Sequence, residues 1–262
     1  MKRESKKKGP LRAAFIASHS PEAQAAKAEL EALYGEVPLK KADAVVALGG
    51  DGLMLRAMHR LRSTGKGIFG MNRGSVGFLM NDYSPENLIG RLEAAEVTQI
   101  HPLRMTVSPG NGRRHEALAF NEVSLFRQRY PAAKLRIAID GRVRMEELIC
   151  DGVILSTPAG STAYNLSAQG PILPINSPLL ALTPICPFRP RRWRGAILPK
   201  DARVRIEVIE AKKRPVAAVA DNREYRNIKA VEIVQDETAA ANLMFDPGHS
   251  LAERVVNEQF RF

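Results

Sequence analysis

Four consecutive residues near the start of the chain combine a flexible backbone with one carboxylate: Gly49-Gly50-Asp51-Gly52. The apolar run at 44–48 before them is typical of a buried strand, and apolar residues recur at helical spacing over 53–61. The turn is therefore predicted between a strand and a helix, where free N–H groups and the helix dipole attract phosphate. Because a carboxylate repels phosphate, we expect Asp51 to serve chemistry, as a base or through a metal ion.

Two interpretations of this turn stay open on these residues alone. Glycine-rich strand-to-helix turns are common and aspartate is a favoured helix N-cap, so the turn could be purely structural. Alternatively, it binds phosphate. It is not a Walker A loop, because no Gly-Lys-Ser/Thr follows, and the G-x-G-x-x-G spacing of the dinucleotide fingerprint is absent.

The composition indicates an ordinary globular protein. The 262 residues suffice for one large or two modest domains, and 45% are hydrophobic. We expect no membrane segment, because there is no apolar run of about 20 residues, and no secretory signal, because the basic N-terminus lacks an apolar core. Cys150 and Cys186 have no metal-ligand spacing, so a reduced, cytoplasmic location is expected.

The net charge of +11 raises the question of a nucleic-acid partner. Much of it lies in residues 1–12, where six Lys and Arg residues face only Glu4, and residues 1–10 are predicted to be a disordered basic tail. A second cluster, at 189–194, alternates arginines with Pro190 and Trp193. Aromatic residues make up only 6%, which gives little stacking surface, so no nucleic-acid partner is expected.

Strand and helix signals alternate over residues 11–97, which predicts an α/β domain with a parallel sheet. Strands are expected at 11–17, 44–48 and 67–71. Helices are expected from Pro21 to Tyr34, capped by Ser20, from 53 to 62, and from 85 to 95. In parallel sheets ligands bind at the carboxyl ends of the strands. The glycine-rich turns at 49–52 and 72–77 should therefore lie at one edge.

Residues 98–241 are predicted to form an antiparallel, β-rich domain. Strands are expected around 103–108, 116–126, 134–140, 142–149, 152–156, 202–210, 215–220 and 228–234, with hairpin turns at 109–112 and at Asp140-Gly141. Ser250 and Glu253 form a capping box for a last helix. Since one helix cannot bury its apolar face alone, we expect residues 242–262 to return to the first domain.

The most specific segment of the chain is 151–171, which contains Thr157-Pro158-Ala159-Gly160-Ser161-Thr162-Ala163-Tyr164. It closely resembles the signature of the NAD kinase family, bacterial type. The Gly-Gly-Asp-Gly turn, the loop 72–79, Asn121-Glu122 and Leu182-Thr183-Pro184 agree in order, so the likeness covers nearly the whole chain from about residue 11. The turn alone is shared with phosphofructokinases and diacylglycerol kinases, whose fold the first domain is expected to resemble.

The resemblance implies transfer of the γ-phosphoryl of ATP to the 2′-hydroxyl of the adenosine ribose of NAD, with Asp51 as the base. Gly49, Gly50 and Gly52 would hold phosphates, and a divalent cation, Mg²⁺ by expectation, would arrive with ATP. Polyphosphate is an alternative donor. A homodimer or homotetramer is expected. The residues implied in NAD binding are Asp51, Gly52, Arg56, Asn121, Glu122, Asp151, Ala159, Thr162, Ala163, Tyr164, Asn165, Leu166, Ser167 and Asn222.

Two positions depart from the family pattern. Asn222 stands where many members have glycine in an Asp-Gly-Gln turn, and Ile149 stands where many have a polar residue. Two alternative functions are kept: a lipid or sugar kinase of the same superfamily, and a non-enzymatic NADP-binding protein. Lipid kinases usually have threonine where this chain has Leu53, and a pure binder needs no carboxylate beside bound phosphate.

Overall fold

The computed structural model describes residues 11–74, 77–109, 113–248, 251–258 and 260. The predicted basic tail at 1–10, most of the predicted turn at 109–112 and the predicted cap Ser250 lie outside the described residues. The chain divides into two compact units, one of residues 1–100 and 240–254, the other of residues 101–239 and 255–262. Within the described ranges, no helix is long and apolar enough to cross a membrane.

The first unit contains a five-stranded sheet in the spatial order β1-β2-β3-β17-β4. Its strands are β1 (Ala13–Ala17), β2 (Ala44–Gly49), β3 (Gly67–Asn72), β4 (Glu96–Ile100) and β17 (Ala241–Phe245). The first four in spatial order are parallel, and β4 pairs antiparallel with β17. The parallel sheet is therefore confirmed, with an antiparallel edge strand that the sequence analysis did not include.

The helices of the first unit are α1 (Pro21–Tyr34), α2 (Asp51–Leu61) and α3 (Leu88–Ala94). Helix α1 has the predicted limits because the Ser20 side chain accepts the N–H of Ala23 and proline occupies the first helical position. The predicted start of α3 at residue 85 is wrong. Asn87 has a left-handed φ of 50°, which interrupts the helix, so it begins at Leu88.

The chain returns to this sheet near its end through β17, which inserts between β3 and β4. The last helix, α5 (Leu251–Glu258), follows it. Its Arg254 belongs to the first unit and lies over the ring of Phe245. The buried apolar core of this unit joins α1, β1, β2 and β3 and includes Leu30, Leu48 and Phe69.

The second unit contains two six-stranded antiparallel sheets, in the orders β12-β11-β10-β7-β14-β15 and β6-β5-β16-β13-β8-β9. Their strands are β5 (Leu103–Pro109), β6 (His115–Ala119), β7 (Glu122–Arg127), β8 (Ala133–Ile139), β9 (Arg142–Cys150), β10 (Gly152–Ser156), β11 (Leu179–Ile185), β12 (Ala196–Pro199), β13 (Val204–Val208), β14 (Val216–Ala220), β15 (Arg223–Tyr225) and β16 (Ile228–Gln235). Both sheets contribute to one core, in which Leu125, Leu155 and Ile206 are fully buried. The antiparallel β-rich prediction is thus confirmed.

Several details of the second unit differ from the sequence expectation. Strands β11, β12 and β15 were not among the predicted strands. The strand expected at 116–126 is two strands, β6 and β7, because the chain turns at Phe120 and Asn121 and the two halves join different sheets. The segment after β10 forms a 3-10 turn (Ala159–Thr162) and a single helical turn, α4 (Tyr164–Ser167). The Asp140-Gly141 hairpin is confirmed, with both residues at positive φ.

Candidate functional site

The Gly-Gly-Asp-Gly turn lies where the sequence predicted it, between the end of β2 and the start of α2. Gly50 is the N-cap in an extended conformation, and its carbonyl accepts the N–H groups of Leu53 and Met54. The N–H groups of Asp51 and Gly52 precede these and have no partner within the helix by their position. They are available to an anion at the positive end of the helix.

The Asp51 carboxylate is held by the second glycine-rich loop. Its Oδ2 accepts the N–H of Phe78 and its Oδ1 accepts the N–H of Leu79, both at 2.9 Å. The Arg73 N–H donates to the Gly49 carbonyl at 2.8 Å, which brings the two loops together at the ends of β2 and β3. Each carboxylate oxygen has two lone pairs, so both keep capacity to accept a further proton donor.

Small residues make this approach possible. A Cβ on Gly49 would lie 3.1–3.3 Å from atoms of Leu53 and Ser18, and a Cβ on Gly77 would lie 2.6 Å from Met80. Gly52 differs, because a Cβ there would meet only Arg56, at 3.9 Å. Gly52 is exposed, so its lack of a side chain leaves open space beside the first turn of α2. Arg56, one helical turn further along α2, is also exposed, and its guanidinium lies near Gly52.

The loop that holds Asp51 is itself fixed by two buried groups. Asn81 is fully buried; its amide donates to the carbonyls of Gly70 and Met244 at 3.0 Å, and its Oδ1 accepts the N–H of Asp246. From helix α5, the Arg254 guanidinium donates to the carbonyls of Phe78 and Met80. The residues that orient Asp51 are therefore anchored by chain segments more than 160 positions away.

Three carboxylates, one of them Asp51 of the turn itself, act on the charge of Arg254 in this region. Burial lowers the pKa of Arg254, and the carboxylates of Asp82, Asp246 and Asp51 oppose that shift. Arg254 thus stays close enough to Asp51 to affect it electrostatically. The sequence analysis missed Arg254. It also missed Arg73, whose guanidinium lies 3.9 Å from the centre of the Tyr83 ring and whose buried Nε has no hydrogen-bond partner among the described residues.

Within the second unit, the structure brings Asn121 and Glu122 against the start of the 157–167 segment. Thr157 donates its hydroxyl to the Phe120 carbonyl at 2.7 Å, and the Thr157 N–H donates to the Asn121 carbonyl at 3.0 Å. A Cβ on Gly160 would lie 2.1 Å from the Asn121 carbonyl oxygen, so only glycine permits this contact. The backbone of the signature segment and that of Asn121 are therefore packed directly on each other.

Several polar side chains of the signature segment are used inside the protein. Asn165 is fully buried: its amide donates to the carbonyls of Ser161 and Pro171, and its Oδ1 accepts the Thr183 hydroxyl at 2.7 Å. This differs from the expected ligand contact, because the side chain has no exposed surface. Ala159 is also buried, whereas Thr162, Ala163 and Leu166 are partly exposed and Tyr164 and Ser167 are exposed.

Glu122 is the most perturbed acidic group of the predicted set. Its Oε2 is buried with no hydrogen-bond partner among the described residues. Burial raises the pKa of Glu122 to about 7, and the nearby charge of Asp221 adds to the rise. A buried carboxylate oxygen without a partner is costly in a folded protein, so it is a candidate acceptor for a ligand hydroxyl.

Asp151 lies at the opposite end of β10 from Glu122, which pairs with Ser156. Five residue steps separate Asp151 from Ser156, about 17 Å along the strand. The Asp151 carboxylate forms an ion pair with Arg127 at the end of β7. Burial raises the pKa of Tyr164, and the charges of Cys186, Glu122 and Asp151 add to the rise. Tyr164 and Cys186 line a cavity of about 380 Å³ together with Trp193.

The predicted residues thus fall into two groups. Gly49, Gly50, Asp51, Gly52 and Arg56 lie at one end of β2 in the first unit. Asn121, Glu122, Asp151, Ala159, Thr162, Ala163, Tyr164, Asn165, Leu166, Ser167 and Asn222 lie in the second unit. Asn222 is exposed in the two-residue turn between β14 and β15.

This turn shows why asparagine can replace glycine at position 222. The positive φ of the turn, +50°, is at Asp221, and Asn222 has none. Aspartate tolerates this conformation better than most residues. The departure from the family pattern therefore costs the turn no backbone strain.

Comparison with known proteins gives one consistent family. Residues 1–99 match the family model of the ATP-NAD kinase N-terminal domain, and residues 120–241 match that of the ATP-NAD kinase C-terminal domain. A protein of Rhizobium meliloti (strain 1021) named NAD kinase is 57% identical over 247 residues, which cover 94% of this chain and 96% of that protein.

Solved structures agree. An NAD kinase from Archaeoglobus fulgidus in complex with ATP is similar with a TM-score of 0.74 and 26% identity, over 94% of this chain and 96% of that one. Yeast NADH kinase complexed with NADH is similar with a TM-score of 0.82, over 95% of this chain and 87% of that one. At 22% identity, the yeast structure supports the fold alone.

Proposed function

The chain belongs to the NAD kinase family, and from that premise we propose how its own residues perform the reaction. The function is phosphoryl transfer from ATP to NAD, giving NADP, since relatives named NAD kinase match nearly the whole chain. Lipid or sugar kinases and non-enzymatic binders are not favoured. The acceptor is the 2′-hydroxyl of the adenosine ribose, a weak nucleophile that needs a base and a positioned phosphate.

Asp51 is the proposed base. The observation that carries this role is the pair of N–H groups, from Phe78 and Leu79, that fix both of its oxygens at 2.9 Å. Two donors in fixed positions hold the carboxylate in one orientation, while its remaining lone pairs can accept the proton of the ribose hydroxyl. Pre-orientation of the acceptor reduces the entropy that the reaction must lose.

The first turn of α2 is the proposed phosphate site. The N–H groups of Asp51 and Gly52 and the helix dipole supply positive potential, and the open space at Gly52 lets phosphate oxygens approach the backbone. Gly49 and Gly50 connect β2 to this turn and are proposed to hold phosphates together with Gly52. The exposed Arg56 adds positive charge beside Gly52. The conserved chemistry of phosphoryl transfer needs this charge because the transferred group is anionic.

A divalent cation, which we propose to be Mg²⁺, would come with the nucleotide. No group of three or more His, Cys, Asp or Glu side chains could hold a metal ion among the residues that the structure describes. Mg²⁺ is commonly held by one or two carboxylates together with substrate phosphate oxygens and water, and Asp51 would be the carboxylate at this site. When bound, the cation supplies charge neutralisation at the phosphates.

For NAD we propose contacts from the second unit. Glu122 accepts hydrogen bonds from ribose hydroxyls through the buried oxygen that has no partner in the described part of the chain, and the neighbouring Asn121 adds an amide. Thr162, Ala163, Tyr164, Leu166 and Ser167 supply surface to the dinucleotide, together with the backbone at Ala159, and Asn222 adds a polar group from its turn. Asn165 is proposed to shape this segment from within. Asp151 is proposed to contact NAD, from a neighbouring subunit if the single chain cannot bring it there.

Three further proposals concern the protein as it works. ATP is the proposed donor, with polyphosphate tested beside it. A homodimer or homotetramer is proposed from the family resemblance, and light scattering of the purified protein measures it. A cytoplasmic location is proposed because Cys150 and Cys186 are both free thiols.

The activity is tested by NADP formation. Purified full-length protein is incubated with NAD or NADH, Mg²⁺ and ATP, another nucleoside triphosphate or polyphosphate, and NADP(H) is measured with an NADP-specific dehydrogenase. We expect NADP from NAD and ATP. The absence of NADP(H) with every donor would contradict the function, and the donor that gives the highest kcat/KM identifies the physiological phosphate source.

A further inference from the structure

Asp221 makes contacts that the proposed mechanism does not yet use. It occupies the left-handed position of the turn between β14 and β15. Its Oδ2 accepts the N–H of Phe120 at 2.7 Å, and its Oδ1 accepts the N–H of Asn121 at 3.1 Å and that of Glu122 at 3.4 Å. One carboxylate thus collects three successive N–H groups of a segment about 100 residues earlier in the chain.

These three N–H groups belong to the turn where β6 ends and β7 begins. The segment leaves one sheet and enters the other there: Phe120 and Asn121 lie between the two strands, and Glu122 pairs with Ser156 of β10. Thr157 and Gly160 pack on the carbonyl side of the same residues. The N–H side is fixed by Asp221, since hydrogen bonds to an ionised acceptor are stronger than neutral ones.

Asp221 also acts on Glu122 through its charge. Two titratable groups interact electrostatically with Glu122: Asp221, in the β14–β15 turn, and Tyr164, on α4. The facing residue on β10 is Ser156, which carries no charge. Burial is the larger cause of the raised pKa of Glu122, and the like charge of Asp221 is the second cause.

We propose that Asp221 is a positioning residue for NAD: its carboxylate holds the Asn121–Glu122 backbone in its binding conformation and places a negative charge beside the Glu122 side chain. The inference rests on the proposed contacts of Asn121 and Glu122 with NAD. It assigns no contact between Asp221 and the substrate. Asp221 thus positions the Asn121–Glu122 backbone, and the exposed Asn222 beside it does not share this role.

Two substitutions test the hydrogen bonds and the charge of Asp221. Asp221→Gly removes both acceptor oxygens and the charge and suits the positive φ, whereas Asp221→Asn removes the charge and keeps one of the two acceptor oxygens. The matched control is Asp140→Asn. Asp140 also has a positive φ, 52°, in a two-residue hairpin of the same unit and also accepts one backbone N–H, from Arg203, but lies outside the proposed site.

The measurements are kcat and KM for NAD and for ATP between pH 5.5 and 9, with thermal unfolding of each variant. Asp221→Gly is expected to raise KM for NAD about tenfold or more while KM for ATP stays within about twofold. In the wild type, affinity for NAD should fall as pH drops through about 7, where Glu122 takes up a proton. In Asp221→Asn that midpoint should move to lower pH by about half a unit or more, because the negative charge that raises the pKa of Glu122 has been removed.

Each outcome decides the matter. An unchanged midpoint in Asp221→Asn, with KM for NAD altered no more than in Asp140→Asn, would overturn the inference and leave a structural role only. If Asp221→Gly fails to fold, the Asp221→Asn profile carries the test alone. If the wild type forms no NADP, the proposed function fails. Calorimetric titration of NAD into wild type and Asp221→Asn across the same pH range then tests the positioning role separately.

Discussion

The two central carboxylates of this chain have opposite surroundings. Asp51 receives an N–H at each oxygen, from Phe78 and Leu79, whereas Glu122 has one buried oxygen with no partner in the described part of the chain. Donors stabilise an ionised carboxylate, and burial beside a like charge destabilises it. Asp51 is therefore suited to act as a fixed proton acceptor, whereas Glu122 is suited to accept a hydrogen bond from a ligand.

The raised pKa of Glu122 predicts a stability cost that depends on pH. The pKa of Glu122 is about 7 in the native state and lower in the unfolded state. While Glu122 is protonated in both states, it does not lower the free energy of unfolding. The cost appears as pH rises above the unfolded pKa and is complete above about 7. Glu122→Gln should therefore gain stability relative to the wild type by about 2–3 kcal/mol more at pH 8 than at pH 5.

Denaturant unfolding at pH 5, 6, 7 and 8 measures this difference. Glu116→Gln, the same change at an exposed residue of the same unit, is the control and should give a difference that is flat with pH. A flat difference for Glu122→Gln as well would mean that Glu122 ionises normally in the native protein.

At the scale of elements, the sequence predicts best where local chemistry decides. Helix α1 has its predicted limits because Ser20 and Pro21 specify its start. The start of α3 was wrong because the left-handed Asn87 is not signalled locally. Strands β4 and β17 were not predicted, since β4 is a polar edge strand and β17 gains its place only by pairing with distant β3 and β4.

The same limit applies to the site. The position of Asp51 between a strand and a helix could be predicted from the sequence, and the structure confirms that position. Arg254 and Asp221 could not, because their partners at Phe78, Met80 and Phe120 are 100 or more residues away in sequence. Asn165 was expected at the ligand from the family pattern, yet its contacts with Thr183 and two carbonyls place it inside.

The anchoring of the Asp51 loop by α5 predicts a remote effect on turnover. Arg254→Met removes the donors to the carbonyls of Phe78 and Met80, so the neighbouring N–H groups should hold Asp51 less rigidly. We expect kcat to fall about tenfold and stability to fall by about 1.5–3 kcal/mol, the range for hydrogen bonds to a charged group.

Steady-state kinetics and denaturant unfolding check this effect. Arg60→Met, at an exposed position on α2, is the control and should change neither quantity appreciably. A loss of stability without any loss of kcat would show that α5 supports the fold of the first unit but not the geometry of Asp51.

For the whole molecule, the net charge and the family signature indicate different kinds of ligand. The net charge of +11 suggests a polyanion partner, whereas the phosphate turn and the 151–171 segment indicate a small nucleotide. The family matches decide between them, because they cover residues 1–99 and 120–241. Composition could bound the class of protein, and only the ordered motifs could identify the reaction.

The basic tail is the part of the charge that we expect to be dispensable. Deleting residues 1–10 leaves β1, which begins at Ala13, and should leave kcat/KM for NAD within about twofold of the full chain. Kinetics at low and physiological salt compare the two proteins. A loss of tenfold or more that high salt abolishes would instead assign the tail an electrostatic role in substrate capture.

The central claim, that Asp51 is the base, is tested most directly by Asp51→Asn. The amide keeps the size of the side chain and one acceptor oxygen but cannot take the ribose proton. With Asp43→Asn, at the other end of the same strand, as control, NAD affinity is measured by calorimetry and turnover by NADP formation. Affinity within about tenfold of wild type and kcat reduced at least about 100-fold are the predicted results. Equal losses in affinity and turnover would contradict the account and make Asp51 a binding contact.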